Sequence, residues 1–287
     1  MVVMPANPSG VPPNGVRNLA RLRPARRCQI EFKSNTTVRL TTTKNYDKLN
    51  RLTSINSVGM GSIPSVNSSA YSYNDANQRT RANLADGSFW IYEYDALGQV
   101  KSGKRYWSDW TPVAGQQFEY GFDDIGNRSS TKTGGDAGGA GLRPASYSAN
   151  SLNQITQRDV PAYINVIGAA STSATNVNVN NTLAYRKGEY YRVELNPNNA
   201  SAPVWQSVTN RAVQSGTTNS TTGNLFLPKT PEVFAYDADG NLTNDGRWAY
   251  VWDGENRLTR MVAPSAIPTG ARQTLVFGYD WQGRPYQ

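Results

Sequence analysis

The acidic side chains are the residues of this sequence that could do chemistry, because its 287 residues include no histidine. Histidine is the usual acid–base group at neutral pH, the usual activator of a nucleophilic serine or cysteine, and a frequent zinc ligand. Two carboxylates alone can still hydrolyse a glycosidic bond. Asp123 and Asp124 are adjacent, but neighbouring residues of a strand point to opposite faces. We therefore predict no catalytic residue and no enzyme activity, with a carboxylate-based glycosidase as the least favoured alternative.

Two further stretches have the composition of a binding loop. The segment from Asp237 to Asn241 begins like a calcium-binding EF-hand loop, but Leu242 stands where that loop requires glycine, and Trp248 stands where it requires glutamate. The glycine-rich segment 134–141 lacks the Gly-Lys-Ser/Thr ending of a phosphate-binding loop. We predict a tight turn in the first stretch, a flexible surface loop in the second, and no metal or cofactor.

Three tryptophans could stack on a sugar ring if they are exposed, namely Trp107, Trp110 and Trp205. A carbohydrate-binding surface module, with glycans as its ligands, is therefore the first alternative function. Tyr190 has suitable chemistry as well. For Tyr190 and Trp205, packing in a core is the favoured prediction, because both lie in segments with the alternating pattern of strands.

The net charge of +8 is confined to one end of the chain. Residues 1–51 hold ten Lys and Arg against two acidic residues, and the charges of the remaining residues balance. The sequence therefore does not predict the basic groove of a nucleic-acid-binding protein. It contains no apolar run long enough to span a membrane, and residues 1–15 show no signal peptide. Cys28 is the only cysteine, so an internal disulfide is excluded.

A short motif recurs along the chain and must position these side chains. It consists of an aromatic residue, an Asp, two variable residues and a Gly or Asn. The six well-preserved copies are Tyr46-Asp47 with Asn50, Tyr94-Asp95 with Gly98, Phe122-Asp123 with Gly126, Tyr236-Asp237 with Gly240, Trp252-Asp253 with Asn256, and Tyr279-Asp280 with Gly283. Degraded copies begin at Tyr73 and Tyr147. Asp bends the backbone, and Gly or Asn tolerates a positive φ, so each copy predicts a turn, and eight copies predict a repeat architecture.

The residues before each turn have the pattern of a β-strand. Large apolar residues stand two and four positions before the aromatic residue, as Tyr92 and Trp90 do before Tyr94. Asp-Gly pairs at 86–87 and 245–246 supply hairpin turns at the other ends of the strands. We therefore predict strands with one aromatic face, and we expect the rings of successive copies to stack in ladders.

These copies resemble the tyrosine–aspartate (YD) repeats of the Rhs family, which includes bacterial polymorphic toxins, wall-associated proteins, teneurins and insecticidal toxin-complex subunits. The resemblance covers about residues 41–159 and 232–287. It implies a β-strand spiral that forms the wall of a hollow shell in a secreted or cell-surface protein. It also implies a self-cleaving aspartate core, which this sequence lacks. We therefore expect that any enclosed toxin-like segment either lies outside these residues or does not exist.

The spacing of the copies divides the chain. Successive copies begin 16 to 28 residues apart, except for 89 residues between Tyr147 and Tyr236. We predict an all-β repeat spiral with a disordered basic tail (1–40), repeats (41–159), an inserted small β-subdomain (160–231) and further repeats (232–287). The predicted function is structural and non-enzymatic. The expected partners are flanking repeats or an enclosed C-terminal segment, with no nucleic acid and no membrane span.

Overall fold

The computed structural model describes residues 27–61 and 67–286, and over these residues the chain is almost entirely β-structure. The predicted all-β class is confirmed. The helix among the described residues is the single 3-10 turn Thr269–Ala271, and none of the described helical structure is long enough to cross a membrane. The chain divides into two compact units, between Thr111 and Pro112.

The first unit contains seven antiparallel strands, each paired with the next along the chain. They are β1 (Arg27–Ser34), β2 (Thr37–Tyr46), β3 (Leu52–Gly59), β4 (Asn67–Tyr73), β5 (Arg79–Leu84), β6 (Phe89–Tyr94) and β7 (Val100–Tyr106). In such a meander, successive turns alternate between the two ends of the strands. The three motif turns of this unit are alternate turns, so they lie at the same end.

The disordered tail predicted for residues 1–40 is wrong for its last part. Residues 1–26 lie outside the described residues, whereas residues 27–34 form β1 and pair with β2 through a turn at Asn35, where φ is 54°. The strand was missed because its apolar residues, Ile30 and Phe32, alternate with Glu31 and Lys33 in a segment rich in basic residues. Alternation over four residues is a weak signal against such a background.

Each motif turn closes the same hairpin. The residue at the aromatic position pairs with the residue six positions later, and the pairing shifts register just before it. In the first unit these pairs are Tyr46 with Leu52, Tyr73 with Arg79, and Tyr94 with Val100. The register shift is a β-bulge, which bends the strand and increases its twist.

A hydrogen bond from the aromatic side chain joins a copy to the one before it. The hydroxyl of Tyr94 donates to the carbonyl of Arg79 at 2.8 Å, and Arg79 is the pairing partner of Tyr73 in the preceding copy. The same bond runs from Tyr73 to Leu52, from Tyr236 to Ile155, from the indole N–H of Trp252 to Leu242, and from Tyr279 to Leu258. The sequence predicted that stacked rings would join successive copies. In the structure, these hydrogen bonds from the aromatic side chains join them.

The second unit contains the remaining strands. They are β8 (Pro112–Phe122), β9 (Arg128–Gly134), β10 (Leu142–Ala149), β11 (Ile155–Arg158), β12 (Ile164–Ala169), β13 (Asn176–Val179), β14 (Thr182–Leu183), β15 (Tyr185–Lys187), β16 (Tyr190–Leu195), β17 (Val204–Gln214), β18 (Thr217–Leu227), β19 (Glu232–Val233), β20 (Ala235–Tyr236), β21 (Leu242–Asn244), β22 (Ala249–Trp252), β23 (Leu258–Val262) and β24 (Thr274–Val276). Strands β8 to β11 pair in order, and β19 is the next neighbour of β11. Strands β20 to β24 form a five-stranded sheet in chain order.

Residues 160–231, predicted as an inserted β-subdomain, form two sheets that share a core. One sheet has the order β12-β16-β15 and the other has the order β14-β13-β17-β18. The core takes apolar side chains from both sheets, including Ile164, Val166, Tyr191 and Val193 from the first, and Val177, Val179 and Val208 from the second. The chain leaves the repeats after β11 and returns in β19, where Arg158 pairs with Glu232. The insert therefore begins and ends at neighbouring strands.

Asn199 ties the two ends of the insert together. Its side chain is fully buried, and its amide donates to the carbonyls of Val160 and Pro228, at 3.0 and 2.7 Å. The backbone carbonyl of Asn199 accepts the N–H of Thr230, and the hydroxyl of Thr230 accepts the N–H of Val160. One buried amide thus binds both the entering and the leaving chain.

The copy predicted at Tyr147 lies two residues further along. Its turn begins at Asn150, whose N–H donates to the carbonyl of Gln154, and Ala149 pairs with Ile155 at the bulge. Ala149 therefore occupies the aromatic position, and Tyr147 stands two residues before it. This copy has Ala149 and Asn150 where the other copies have an aromatic residue and, in most, an Asp, so the sequence does not reveal its position.

Replacing Tyr94 should separate its hydroxyl from its ring. Tyr94→Phe removes the bond to Arg79 and should cost about 1 kcal/mol of unfolding free energy. Tyr94→Ala also removes a half-buried ring and should cost about 2–3 kcal/mol. Urea unfolding followed by circular dichroism measures both values. Wild-type stability in the Phe variant would show that the hydroxyl does not join the two copies.

Candidate functional site

The motif residues meet in a turn whose hydrogen bonds are well defined in the copy at Asp253. The N–H of Asp253 donates to the carbonyl of Arg257, and the N–H of Asn256 donates to the carbonyl of Asp253. The Oδ1 atom of Asp253 accepts the N–H groups of Glu255 and Arg257, at 2.9 and 3.0 Å. Asn256 has a φ of 56°. This is a type I turn followed by a left-handed residue, a common closure for a bulged hairpin.

The other copies repeat this arrangement. In seven of them one side-chain oxygen accepts both N–H groups, and these copies begin at Asp47, Asp95, Asp123, Asn150, Asp237, Asp253 and Asp280. In the eighth, Asn74 accepts the N–H of Gln78. The residue three positions after the first has a φ between 56° and 91° in all eight, and these residues are Asn50, Asn77, Gly98, Gly126, Asn153, Gly240, Asn256 and Gly283.

The residue four positions after the first matches it as hydrogen-bond donor or acceptor. Where the turn begins with Asp, this residue is in five copies a donor that reaches the Oδ2 atom, and these donors are Arg51, Asn127, Asn241, Arg257 and Arg284. Where the turn begins with Asn, the residue is Gln. The amides of Asn74 and Asn150 donate to the Oε1 atoms of Gln78 and Gln154, at 2.7 and 2.8 Å. The two positions are coupled because an amide NH₂ cannot accept from a guanidinium.

Neighbouring turns are also joined side by side. The residue four positions after the first, which is the fifth residue of the turn, donates to the Asn at the positive-φ position of the next copy. The pairs are Arg51 with Asn77, Asn127 with Asn153, and Asn241 with Asn256. At Gly98 and Gly240 a glutamine side chain of the preceding copy lies beside the glycine. A Cβ atom on Gly98 would lie 3.1 Å from the Nε2 atom of Gln78, and one on Gly240 would lie 3.5 Å from the Nε2 atom of Gln154. At these two positions the neighbouring copy leaves little room for a side chain.

These contacts favour the charged form of the turn carboxylates. The pKa of Asp253 is lowered, chiefly by the backbone N–H of Arg257, and the pKa of Asp123 is lowered chiefly by the side-chain amide of Asn127. The backbone N–H of Arg284 is likewise the main cause of the lowered pKa of Asp280. A general acid that works near neutral pH needs a raised pKa instead. The turns are therefore suited to anchoring a backbone.

The two acidic motifs considered for chemistry also belong to turns. Asp123 directs its Oδ1 atom to backbone N–H groups of its own turn, whereas Asp124 lies exposed at the tip. The Oδ1 atom of Asp237 accepts the N–H groups of Asp239 and Asn241, and its Oδ2 atom accepts from the side chain of Asn241. The tight turn predicted at Asp237 is what the structure contains.

The glycine-rich segment 134–141, predicted as a flexible loop, forms a turn of the same kind. The N–H of Asp136 donates to the carbonyl of Ala140 at 2.7 Å, and the Oδ1 atom of Asp136 accepts the N–H groups of Gly138 and Ala140. Gly139 takes the positive φ, at 81°. The sequence did not predict this turn because glycine, and not an aromatic residue, precedes Asp136.

Trp110 is the most prominent of the three tryptophans proposed as ligand platforms. Its side chain is 60% exposed, and its φ is 67°, a conformation rare for a large residue. Its ring meets the edge of Phe89 at 4.7 Å between centroids, and the guanidinium of Arg81 lies 5.3 Å from it. Trp107, in the same turn, is half-buried. The turn therefore presents one supported, exposed indole ring.

Trp205 and Tyr190 lie in the insert and are both half-buried. The indole of Trp205 packs against Gly270 so closely that a Cβ atom there would lie 2.8 Å from its Cδ1 atom. The hydroxyl of Tyr190 donates to the carbonyl of Ala114. Trp205 therefore packs against the segment around Gly270, and Tyr190 is hydrogen-bonded to the backbone of β8.

Glu232 was missed by the sequence analysis and is the one acidic residue that the described part of the chain buries. Burial raises its pKa, and its ion pair with Arg158 acts in the opposite direction. Asp245, whose charge also raises the pKa of Glu232, accepts a hydrogen bond from Tyr250 at 2.7 Å. A raised carboxyl pKa beside a second carboxylate is a pattern seen in active sites. Glu232 is only 5% exposed, however, and its contacts hold β19 on β11.

The sequence matches no protein-family model and no curated protein. Among solved structures, it is similar to the crystal structures of TcdB2-TccC3, of TcdB2-TccC3-Cdc42, and of TcdB2-TccC3 without its hypervariable C-terminal region. The identities are 14%, 13% and 13%, and the TM-scores are 0.39, 0.40 and 0.40. The match covers 90% of this chain, which spans 13% of the length of those chains.

The coupling between the first and fifth residues of the turn predicts that replacing the first Asp by Asn has unequal effects in different copies. Asp253→Asn places an amide opposite the guanidinium of Arg257, which offers no acceptor, so this variant should unfold at a clearly lower temperature. Asp123→Asn should have a smaller effect, because the amide of Asn127 can turn over and present its oxygen. Thermal unfolding by circular dichroism compares them.

The rescue variant tests the same coupling. Asp253→Asn combined with Arg257→Gln recreates the pairing of Asn74 with Gln78, and it should recover part of the lost melting temperature. Equal losses for Asp253→Asn and Asp123→Asn, with no recovery in the double variant, would contradict the coupling.

Proposed function

We propose that this chain is a non-enzymatic segment of a β-strand wall that encloses or displays another segment of a longer, secreted or cell-surface protein. The observation that carries this proposal is the turn that recurs eight times with its polar side chains directed at its own backbone. Side chains used in this way fix a shape. They leave little of the motif free to bind a ligand.

The links between copies support a wall. The aromatic side chain of one copy donates a hydrogen bond to the backbone of the preceding copy. The fifth residue of one turn donates a hydrogen bond to the next turn. Arginine adds contacts between copies, since Arg51 lies over the ring of Tyr73 and Arg257 over the ring of Tyr279, at 5.0 and 5.3 Å. Each copy therefore depends on its neighbours, as expected for a repeat protein.

The resemblance of the motif to YD repeats supports the finer assignment to an Rhs-type shell. In such a shell the partners of this chain would be flanking repeats and an enclosed C-terminal, toxin-like segment. Secretion or display at the cell surface is part of the same proposal.

The state of the carboxylates supports a role without catalysis. The pKa values of Asp123, Asp253 and Asp280 are lowered, because these carboxylates accept hydrogen bonds within their own turns. Glu232 has a raised pKa but is enclosed and paired with Arg158. A glycosidase would need a carboxyl group that both holds a proton and reaches a substrate.

Limited proteolysis and an activity screen test this proposal together. With fragment masses as the readout, we expect resistant fragments that retain the paired strands of residues 27–61 and 67–286. We also expect no turnover of a panel of chromogenic glycosides. Rapid digestion throughout the repeats would contradict a self-supporting wall. Turnover that Glu232→Gln abolishes in a folded protein would contradict a non-enzymatic role.

A glycan-binding surface is the second candidate, and the exposed, supported ring of Trp110 favours it. Trp110→Gly should keep the fold, since glycine adopts a φ of 67° without strain, and should abolish glycan binding measured by tryptophan fluorescence. Trp205→Phe is the control and should bind as the wild type does. Absence of binding by the wild type, or binding that survives Trp110→Gly, would exclude this candidate.

A further inference from the structure

The insert has a long strand at the edge of its four-stranded sheet. Strand β18 pairs with β17 over eleven residues, and no other described strand pairs with it. Residues 217–225 are exposed, so no described part of the chain covers this edge. The strand also contains no charged residue and no proline.

The outward-facing backbone groups of β18 can be identified from β17. On the far side of β17, the N–H of Asn180 donates to the carbonyl of Thr209, and the Oδ1 atom of Asn180 accepts the N–H of Thr209. Thr209 therefore directs its backbone away from β18, and its partner in β18 is Thr222. Residues opposed in this way both point outward, so the N–H and C=O of Thr222 face the open side. By alternation, the residues that share this direction are Thr218, Ser220, Thr222, Asn224 and Phe226.

Other described edge strands carry features that discourage pairing. Strand β1 has three charged residues, Arg27, Glu31 and Lys33, and a bulge between Phe32 and Lys33. Strands β14, β15, β19, β20 and β24 have only two or three residues. Strand β12 has six uncharged residues, but four of them are buried or half-buried, and the side chain of Asn165 donates to the carbonyl of Gly115 in β8. Charges, bulges and short length are the usual protections of an edge strand, and an edge that lacks them is a template for another strand. Strand β18 has none of these protections.

We propose that β18 pairs with β18 of a second copy of this chain, antiparallel and about a two-fold axis at Thr222. This register places Thr222 opposite itself, Ser220 opposite Asn224, and Thr218 opposite Phe226. It brings every outward-facing residue opposite another, so each of these pairs exchanges two backbone hydrogen bonds. The two four-stranded sheets then become one continuous sheet.

The side chains of β18 suit a copy of themselves. The strand is uncharged, so two copies meet without repulsion, and its Thr, Ser and Asn side chains can bond to one another across strands. Thr209 and Thr222 already do so at 3.0 Å. Two charged residues lie near the strand: Arg211 stands opposite Ser220 on β17, and the guanidinium of Arg247 lies 4.8 Å from the ring of Phe226 at the end of β18. The two Arg211 side chains would be separated by three strand spacings, about 14 Å or more, beyond the screening length at physiological salt.

Sedimentation of the full chain over a range of concentrations tests the pairing. The wild type should form dimers, and Thr222→Pro should remain monomeric because proline removes the central outward N–H, at an edge position that tolerates proline. Thr222→Val keeps the backbone donor and should dimerise as the wild type does. Circular dichroism checks that each variant is folded. A monomeric wild type, or dimers that survive Thr222→Pro, would overturn the proposal.

A short cysteine cross-linker tests the register in a Cys28→Ser background, which removes the only native thiol. The Thr222→Cys variant should cross-link to dimers, because the two positions lie about 5.5 Å apart across the axis. The Thr218→Cys variant should not, since its own copy lies eight residues along the strand, about 27 Å away. Equal cross-linking of both variants, or cross-linking of Thr218→Cys alone, would overturn the two-fold register.

Discussion

The bulged turn is the constraint on which the repeats depend. Folding the chain back through a type I turn and a left-handed residue leaves two backbone N–H groups without a partner in the strands. A short side chain with an oxygen at the first position can accept both, as Asp253 does. Without that acceptor, each turn would hold unpaired donors, at a cost that depends on how far they are removed from water. Asp or Asn at this position, with Gly or Asn three residues later, therefore makes the hairpin possible.

Once the turn is fixed, the remaining contacts extend from one copy to the next. The Oδ2 atom of the Asp orients the fifth residue of the turn. This residue then donates to the neighbouring turn, as Arg51 donates to Asn77. The bulge pairs the aromatic residue with the residue six positions later, as Tyr94 pairs with Val100. The Tyr94 hydroxyl then donates to the carbonyl of Arg79, next to the preceding copy. Geometry within one copy thus determines contacts between copies. Few large apolar side chains are fully buried in the first unit, so these polar links add to the packing of half-buried rings in holding its copies together.

The sequence predicted those features that are local in their chemistry. An Asp followed three residues later by Gly or Asn indicates a turn by itself, and alternation indicates a strand, so the all-β class and most turn positions followed. Two turns did not follow because the motif was defined by an aromatic residue before Asp: Ala149 stands at the aromatic position of one, and Gly135 precedes Asp136 in the other. The burial of Glu232 depends on Arg158, 74 residues away, and periodicity carries no information about such a pair.

The place where the insert joins the repeats has a consequence for how such chains can change. Because β11 and β19 are neighbours, the insert occupies the position that a short turn occupies elsewhere in the meander. A longer or shorter segment at this position would leave the strand order and the register of the repeats unaltered, provided that its two ends meet as they do around Asn199. The strand order of the repeats therefore does not depend on the length of the segment that joins β11 to β19.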